Sequence, residues 1–227
     1  MNRIMVFTGD IKRIADDTSL YEEYYNGLSE YRRIKADRLK APADKARSVG
    51  AGILLKRALE KLDINEKHIK YGTTEKGKPF IEDHPELHFN LSHSKNKVMC
   101  VLSDIEAGCD VEWVRDRKDF ERKISNRFFS DEEKAYIESR IKLGKREGTD
   151  AFFTVWTLKE SYIKYTGEGL SRAFNSFGVI VSDKEYYINN DDSVILKSKT
   201  IEDYKYALCI KKEGDEMIIP DICELFI

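Results

Sequence analysis

Gly108-Cys109-Asp110-Val111-Glu112-Trp113-Val114, read together with Trp156-Thr157-Leu158-Lys159-Glu160-Ser161-Tyr162-Ile163-Lys164, decides how this chain is to be understood. Val98 to Leu102 and Cys109 to Val114 read as strands, with Asp104 to Gly108 as a hairpin turn between them. Residues two apart in a strand share a face, roughly 6.6 Å apart along the chain. Asp110 and Glu112 therefore lie on one face, and Val111 and Trp113 on the other. Two carboxylates side by side repel unless something positive separates them. A divalent cation resolves this, and hard oxygen ligands favour Mg²⁺.

The second segment reads as a helix over Phe152 to Tyr165, with Thr149 or Asp150 able to cap it and Gly167 ending it. Glu160 and Lys164 are four apart and share a face. From spacing alone, an exposed ion pair is the simpler account of them, and a solvated strand face accounts equally well for Asp110 and Glu112.

Further words stand around these two. Upstream are Gly77-Lys78-Pro79-Phe80 and Phe89-Asn90-Leu91-Ser92-His93-Ser94. Between the two segments stands Arg127-Phe128-Phe129-Ser130-Asp131-Glu132-Glu133, and after them Gly167-Glu168-Gly169-Leu170-Ser171. In this order, over Arg32 to Phe177, the set resembles the 4′-phosphopantetheinyl transferases of the long, single-chain, Sfp-like type.

The resemblance implies an enzyme, a holo-[carrier protein] synthase. It moves the phosphopantetheine arm of coenzyme A onto a serine of an apo acyl or peptidyl carrier protein and releases adenosine 3′,5′-bisphosphate. It implies an α+β fold of two similar α/β halves related by pseudo-twofold symmetry, with antiparallel strands and packed helices. The boundary is expected near residue 107. Residues 1–107 would form the CoA nucleotide side and 108–227 the metal and catalytic side, with CoA at their junction.

Residue by residue, Asp110, Glu112 and Glu160 match the family's metal-binding carboxylates, for Mg²⁺ with Mn²⁺ as the alternative. Glu160 also matches a general base, acting directly or through water. Lys164 matches a lysine on the CoA phosphates, and Lys159 would add charge beside it. Ser92 and His93 match CoA contacts, and Lys78 with Pro79 the nucleotide pocket. Arg32, Lys35, Arg47 and Ser48 fall where the family contacts the 3′-phosphate and pyrophosphate. Glu133 matches a glutamate considered as a metal or base residue, but Ser130-Asp131-Glu132-Glu133 is also a capping box, and both readings stand. The run Arg115, Arg117, Lys118, Arg122, Lys123 and Arg127 is either a solvated helix face or a docking surface for an acidic carrier.

Composition is compatible with this. The chain has 227 residues, 41% hydrophobic and 35% charged, enough for one or two cores. A net charge of −2 gives no global attraction to nucleic acid or membrane. Arg32 to Arg47 is locally basic, which suits a multiply anionic ligand. Cys100, Cys109 and Cys209 sit in apolar runs and read as buried thiols. Without a signal peptide or a membrane-length apolar run, a cytoplasmic monomer is expected.

The coarse order is a strand near Ile4, then helices over Asp17 to Lys40 and Asp44 to Leu62. Strands follow near Lys70, Phe80, Phe89 and Val98, then helices near Asp131 and Phe152, then four strand-like runs from Ser176 to Ile210. Two other functions share some of these residues. A Mg²⁺-dependent phosphodiesterase would use the three carboxylates but not Lys78, His93 and the basic stretch. A binding module would need none of the acids.

Overall fold

Helical and extended periodicity alternate throughout the chain, and a computed structural model shows how they are packed. It describes residues 3–115, 118–183, 185–214 and 219–225, with all of their side chains except those of 118–120 and 170. In chain order the elements are β1 (Ile4–Asp10), α1 (Lys12–Asp16), α2 (Thr18–Asn26), α3 (Glu30–Asp37), α4 (Pro42–Glu60), β2 (Tyr71–Thr73) and β3 (Pro79–Ile81). Next come β4 (His88–Ser94), β5 (Lys97–Ser103), β6 (Ala107–Trp113), α5 (Lys118–Phe128), α6 (Asp131–Ile141) and α7 (Lys145–Thr166). The chain closes with β7 (Val179–Ser182), β8 (Glu185–Ile188), β9 (Val194–Ile201), β10 (Tyr204–Lys211) and β11 (Cys223–Glu224). This is an α+β fold with largely antiparallel strands and packed helices.

Two compact units result, Met1–Ala107 with Ile218–Ile227, and Gly108–Met217. The second half expected over 108–227 is thus cut short. The reason is a pairing: β11 lies parallel to β1, with Phe7 opposite Cys223 and Thr8 opposite Glu224. Backbone hydrogen bonding, not motif content, assigns the tail to the first unit.

The first unit is built on a four-stranded sheet in the order β11-β1-β5-β4. Its core includes Phe7, Val98, Cys100 and Leu102 from the strands and Val49, Leu54, Leu55 and Leu59 from α4. From Val49 to Leu55 every residue of α4 is buried, as a helix enclosed on all sides requires. The single helix expected over Asp17 to Lys40 is divided. Gly27 closes α2, and Ser29 opens α3, its hydroxyl accepting the Arg32 N–H.

The second unit carries the sheet β6-β10-β9 and the hairpin β7-β8. Helix α7 packs over it through Phe152, Val155, Leu158 and Ile163, meeting Leu196 of β9 and Ala207 and Cys209 of β10 in one core. The hairpin expected from Val98 to Val114 does not form, because β5 joins β1 and β4 while β6 joins β10. Gly108 is a strand residue, not part of the turn. Helix α7 also starts earlier than expected, with Gly144 as N-cap, and ends at Gly167, whose φ of 68° is left-handed. Cys100, Cys109 and Cys209 are buried thiols and Cys223 is exposed. Among the described residues no helix is long and apolar enough to cross a membrane.

Candidate active site

In the second unit the site begins with how closely a strand can approach a helix. A Cβ placed on Gly108 would stand 2.2 Å from the Ser161 carbonyl oxygen and 2.3 Å from the Tyr165 nitrogen, both in the backbone of α7. Only glycine permits this contact. The close approach sets Asp110, two residues along β6, beside the face of α7 that carries Glu160 and Lys164.

The Lys164 ammonium donates to Asp110 Oδ1 at 2.6 Å. Asp110 is buried, and the lysine side chain keeps 27% of its surface exposed. Burial pulls the Lys164 pKa down, but Asp110, Cys109 and Glu160 outweigh it and the net shift is upward. Glu160 shows the opposite balance. Burial first, then Asp110 and more weakly Glu112, push its carboxyl up to about 7, against the pull of Lys164. Lys164 offsets part of the repulsion felt by Glu160. The spacing on which α7 was read therefore becomes a tertiary arrangement, with Lys164 hydrogen-bonded to the strand.

Among the described residues no three His, Cys, Asp or Glu side chains form a ready-made metal cage. The chemistry of the donor set still suits a hard divalent cation. Asp110, Glu112 and Glu160 offer only carboxylate oxygens, and their mutual repulsion is what such an ion relieves.

Glu133 and Lys159 lie elsewhere. The Lys159 ammonium donates to Glu133 Oε1 at 2.8 Å and to the Phe177 carbonyl at 2.6 Å. Both side chains are fully enclosed, and the ammonium lies 4.3 Å from the Phe177 ring centre. Glu133 also accepts the Val179 N–H at 2.7 Å and closes the capping box with Ser130. Every polar group of this pair is satisfied inside the unit. The Lys159 ammonium is thus engaged by Glu133 and Phe177, and residues 159 and 160 point to different sides of α7. The geometry favours the capping reading of Glu133, whose oxygens are taken by Ser130, Lys159 and Val179.

In the basic run, Arg115 lies over the Trp113 ring and Arg127 over Phe128, each at 5.0 Å. Arg117 and the side chain of Lys118 lie outside the described residues.

The first unit holds the other candidates. Arg32 is buried on α3, its guanidinium donating to the Ser48 carbonyl at 3.4 Å while Nε has no hydrogen-bond partner. Burial, with Arg32 and Arg38 nearby, lowers the Lys35 pKa. Arg47 pairs with Asp44 and donates to the Lys95 carbonyl at 3.3 Å. Lys78 pairs with Glu106, whose other oxygen is 3.1 Å from His88 Nδ1. Burial opposes ionisation of Glu106, yet His88 and Lys78 together hold its pKa below the usual value. Pro79 opens β3 opposite Thr73. Ser92 and His93 are neighbours on β4, so their side chains take opposite faces; Ser92 is buried and His93 exposed. Sequence reading missed Glu106 as the partner of Lys78. It also missed the close contact at Gly108, although that glycine stands in the quoted word.

Comparison with known proteins agrees with the motifs. Residues 106–209 match the family model described as the 4′-phosphopantetheinyl transferase superfamily. The chain is 32% identical over 194 residues to the 4′-phosphopantetheinyl transferase Sfp of Bacillus subtilis, covering 83% of this chain and 84% of that protein. It is 29% identical to the 4′-phosphopantetheinyl transferase gsp of Aneurinibacillus migulanus, covering 79% and 76%. A crystal structure of a holo-(acyl-carrier-protein) synthase from Bacillus anthracis in complex with CoA aligns to 44% of this chain and 92% of its own, at 21% identity and a TM-score of 0.36. By the extent of the match to Sfp, this chain belongs to the 4′-phosphopantetheinyl transferase superfamily.

Proposed function

We propose that the protein transfers the 4′-phosphopantetheine group of coenzyme A to a serine hydroxyl of an apo acyl or peptidyl carrier protein, in a Mg²⁺-dependent reaction that releases adenosine 3′,5′-bisphosphate. The observation that carries this is the Lys164–Asp110 contact beside a glutamate whose carboxyl is pushed up to about 7. A carboxylate in this position can accept a proton, and a lysine next to it is placed to neutralise phosphate.

In the reaction the serine Oγ forms a bond to the β-phosphorus of CoA. The bond from that phosphorus to the bridging oxygen breaks, and the nucleotide leaves as the 3′,5′-bisphosphate. Glu160 takes the serine proton, directly or through water. Lys164, held by Asp110, stabilises negative charge on the pyrophosphate. Asp110, Glu112 and Glu160 would hold Mg²⁺ or Mn²⁺, which when bound supplies charge neutralisation at the phosphates.

For the nucleotide, Arg32 and Lys35 are proposed to receive the 3′-phosphate. Arg47, Ser48, Lys78, Pro79, Ser92 and His93 are proposed as further contacts for CoA. The support is that Arg32 and Lys35 stand near one another, and among the described residues neither has a carboxylate in ion-pair reach. Mass spectrometry of an apo-carrier incubated with CoA, with and without Mg²⁺, tests the proposal. A gain of one phosphopantetheine only when the metal is present is expected. An unchanged carrier mass under all conditions would overturn it.

A further inference from the structure

Glu66 lies on a short 3₁₀ turn, Glu66–His68, outside every motif quoted above, and is fully buried. Burying a carboxylate is costly unless hydrogen bonds replace its water. Here there are three. Glu66 Oε2 accepts the Ser29 N–H at 2.8 Å, and Oε1 accepts the Ser29 hydroxyl at 2.6 Å and the Tyr71 hydroxyl at 2.8 Å.

Two of those bonds end on Ser29, the residue that caps α3. The third fixes Tyr71, whose ring stacks on Tyr31 of α3 with centres 4.6 Å apart and planes 15° apart. Glu66 therefore grips α3 at its N-cap and, through Tyr71, along its side. That helix carries Arg32 and Lys35, and the Lys35 ammonium lies 5.4 Å from the centre of the same Tyr31 ring. Charge is arranged with the same economy. Glu66 makes no direct ion pair with either cation, so neither is quenched by a carboxylate, as a direct pair would do. Its field reaches the Tyr71 hydroxyl, as does that of Arg32 from the other sense.

We propose that Glu66 is a positioning residue for anion recognition. It fixes the first turn of α3 so that Arg32 and Lys35 stand ready for the 3′-phosphate of CoA. This rests on the reading of those two cations given above. Glu66→Gln removes the charge and leaves a single acceptor oxygen for three donors. Tyr71→Phe keeps the stacked ring and removes one of the three bonds.

The test is calorimetric affinity for CoA and for dephospho-CoA, measured on the full chain and on Lys35→Ala, Glu66→Gln and Tyr71→Phe. The parent is expected to prefer CoA by about tenfold or more, the size of one charge-assisted contact. Glu66→Gln should lose most of that preference while keeping its affinity for dephospho-CoA, and Tyr71→Phe should lose part of it. A merely structural glutamate would weaken both ligands alike and leave the ratio intact, and that result overturns the proposal. If Glu66→Gln does not fold, a parental ratio in Tyr71→Phe overturns it instead. A parental ratio in Lys35→Ala would show that the reading of the cations is itself at fault, and the role of Glu66 falls with it.

Discussion

Lys159 and Glu133 form a fully enclosed ion pair, 2.8 Å from ammonium nitrogen to carboxylate oxygen. The pair ties α7 to the start of α6 and, through Phe177 and Val179, to β7 and the segment before it. Its consequence for the site is rotational. With Lys159 anchored on one side of α7, Glu160 and Lys164 are turned toward β6.

Breaking one partner of such a pair leaves a buried charge alone. Lys159→Met is expected to cost on the order of 3–5 kcal/mol of stability, read from urea unfolding. The fraction that remains folded should bind CoA as the parent does. Lys164→Met should differ in its binding. It also loses stability, because Asp110 is left buried beside Glu160, but the fraction that remains folded should show marked loss of CoA affinity. Weak CoA binding by Lys159→Met at full stability would restore that lysine to the phosphate site.

The Glu160 carboxyl, pushed up to about 7 from an ordinary 4.5, makes stability depend on pH in a defined direction. Between those values the folded chain keeps a proton that the unfolded chain has released. The favourable contribution is complete below about 4.5 and is lost as pH rises through 7. In metal-free buffer, Glu160→Gln should therefore gain on the parent between pH 5 and pH 8, by on the order of 1–3 kcal/mol. Parallel stability curves for the two proteins would refute the shift.

Relief of that repulsion by a cation should be visible without turnover. Millimolar Mg²⁺ is expected to raise the melting temperature of the parent at pH 7.5, and Glu112→Gln should abolish most of the rise. Differential scanning fluorimetry checks this. An equal rise in both proteins would place the ion elsewhere.

Gly108→Ala tests the close approach of β6 to α7. Its Cβ would meet backbone atoms at 2.2 and 2.3 Å, which cannot move independently of the helix. A loss of roughly 1–3 kcal/mol or more is expected. Turnover should fall as well, because Asp110 would no longer meet Lys164. A variant as stable and as active as the parent would show that the strand has room to spare.

The site residues of α7 and β6 were legible in the sequence because their relations are local. A period of two puts Asp110 and Glu112 on one strand face, and a spacing of four puts Glu160 and Lys164 on one helix face. The break at Gly27–Ser29 was also written there, as a helix closer followed by an N-cap, though the run from Asp17 to Lys40 reads more simply as one helix. Periodicity says which face a residue takes but not which element will cover it. That β5 and β6 part to different sheets, that β11 returns to β1, and that Lys159 turns to Glu133 all depend on long-range pairing. So does the meeting of Glu66 with Ser29, thirty-seven residues apart in the chain. Such contacts form only where burial makes an unpaired strand edge or an unpaired charge too costly to leave exposed to the protein interior. The types of residue that could carry the chemistry were set by the sequence itself. Their partners, and so which of them remain available to a ligand, were decided by the tertiary structure.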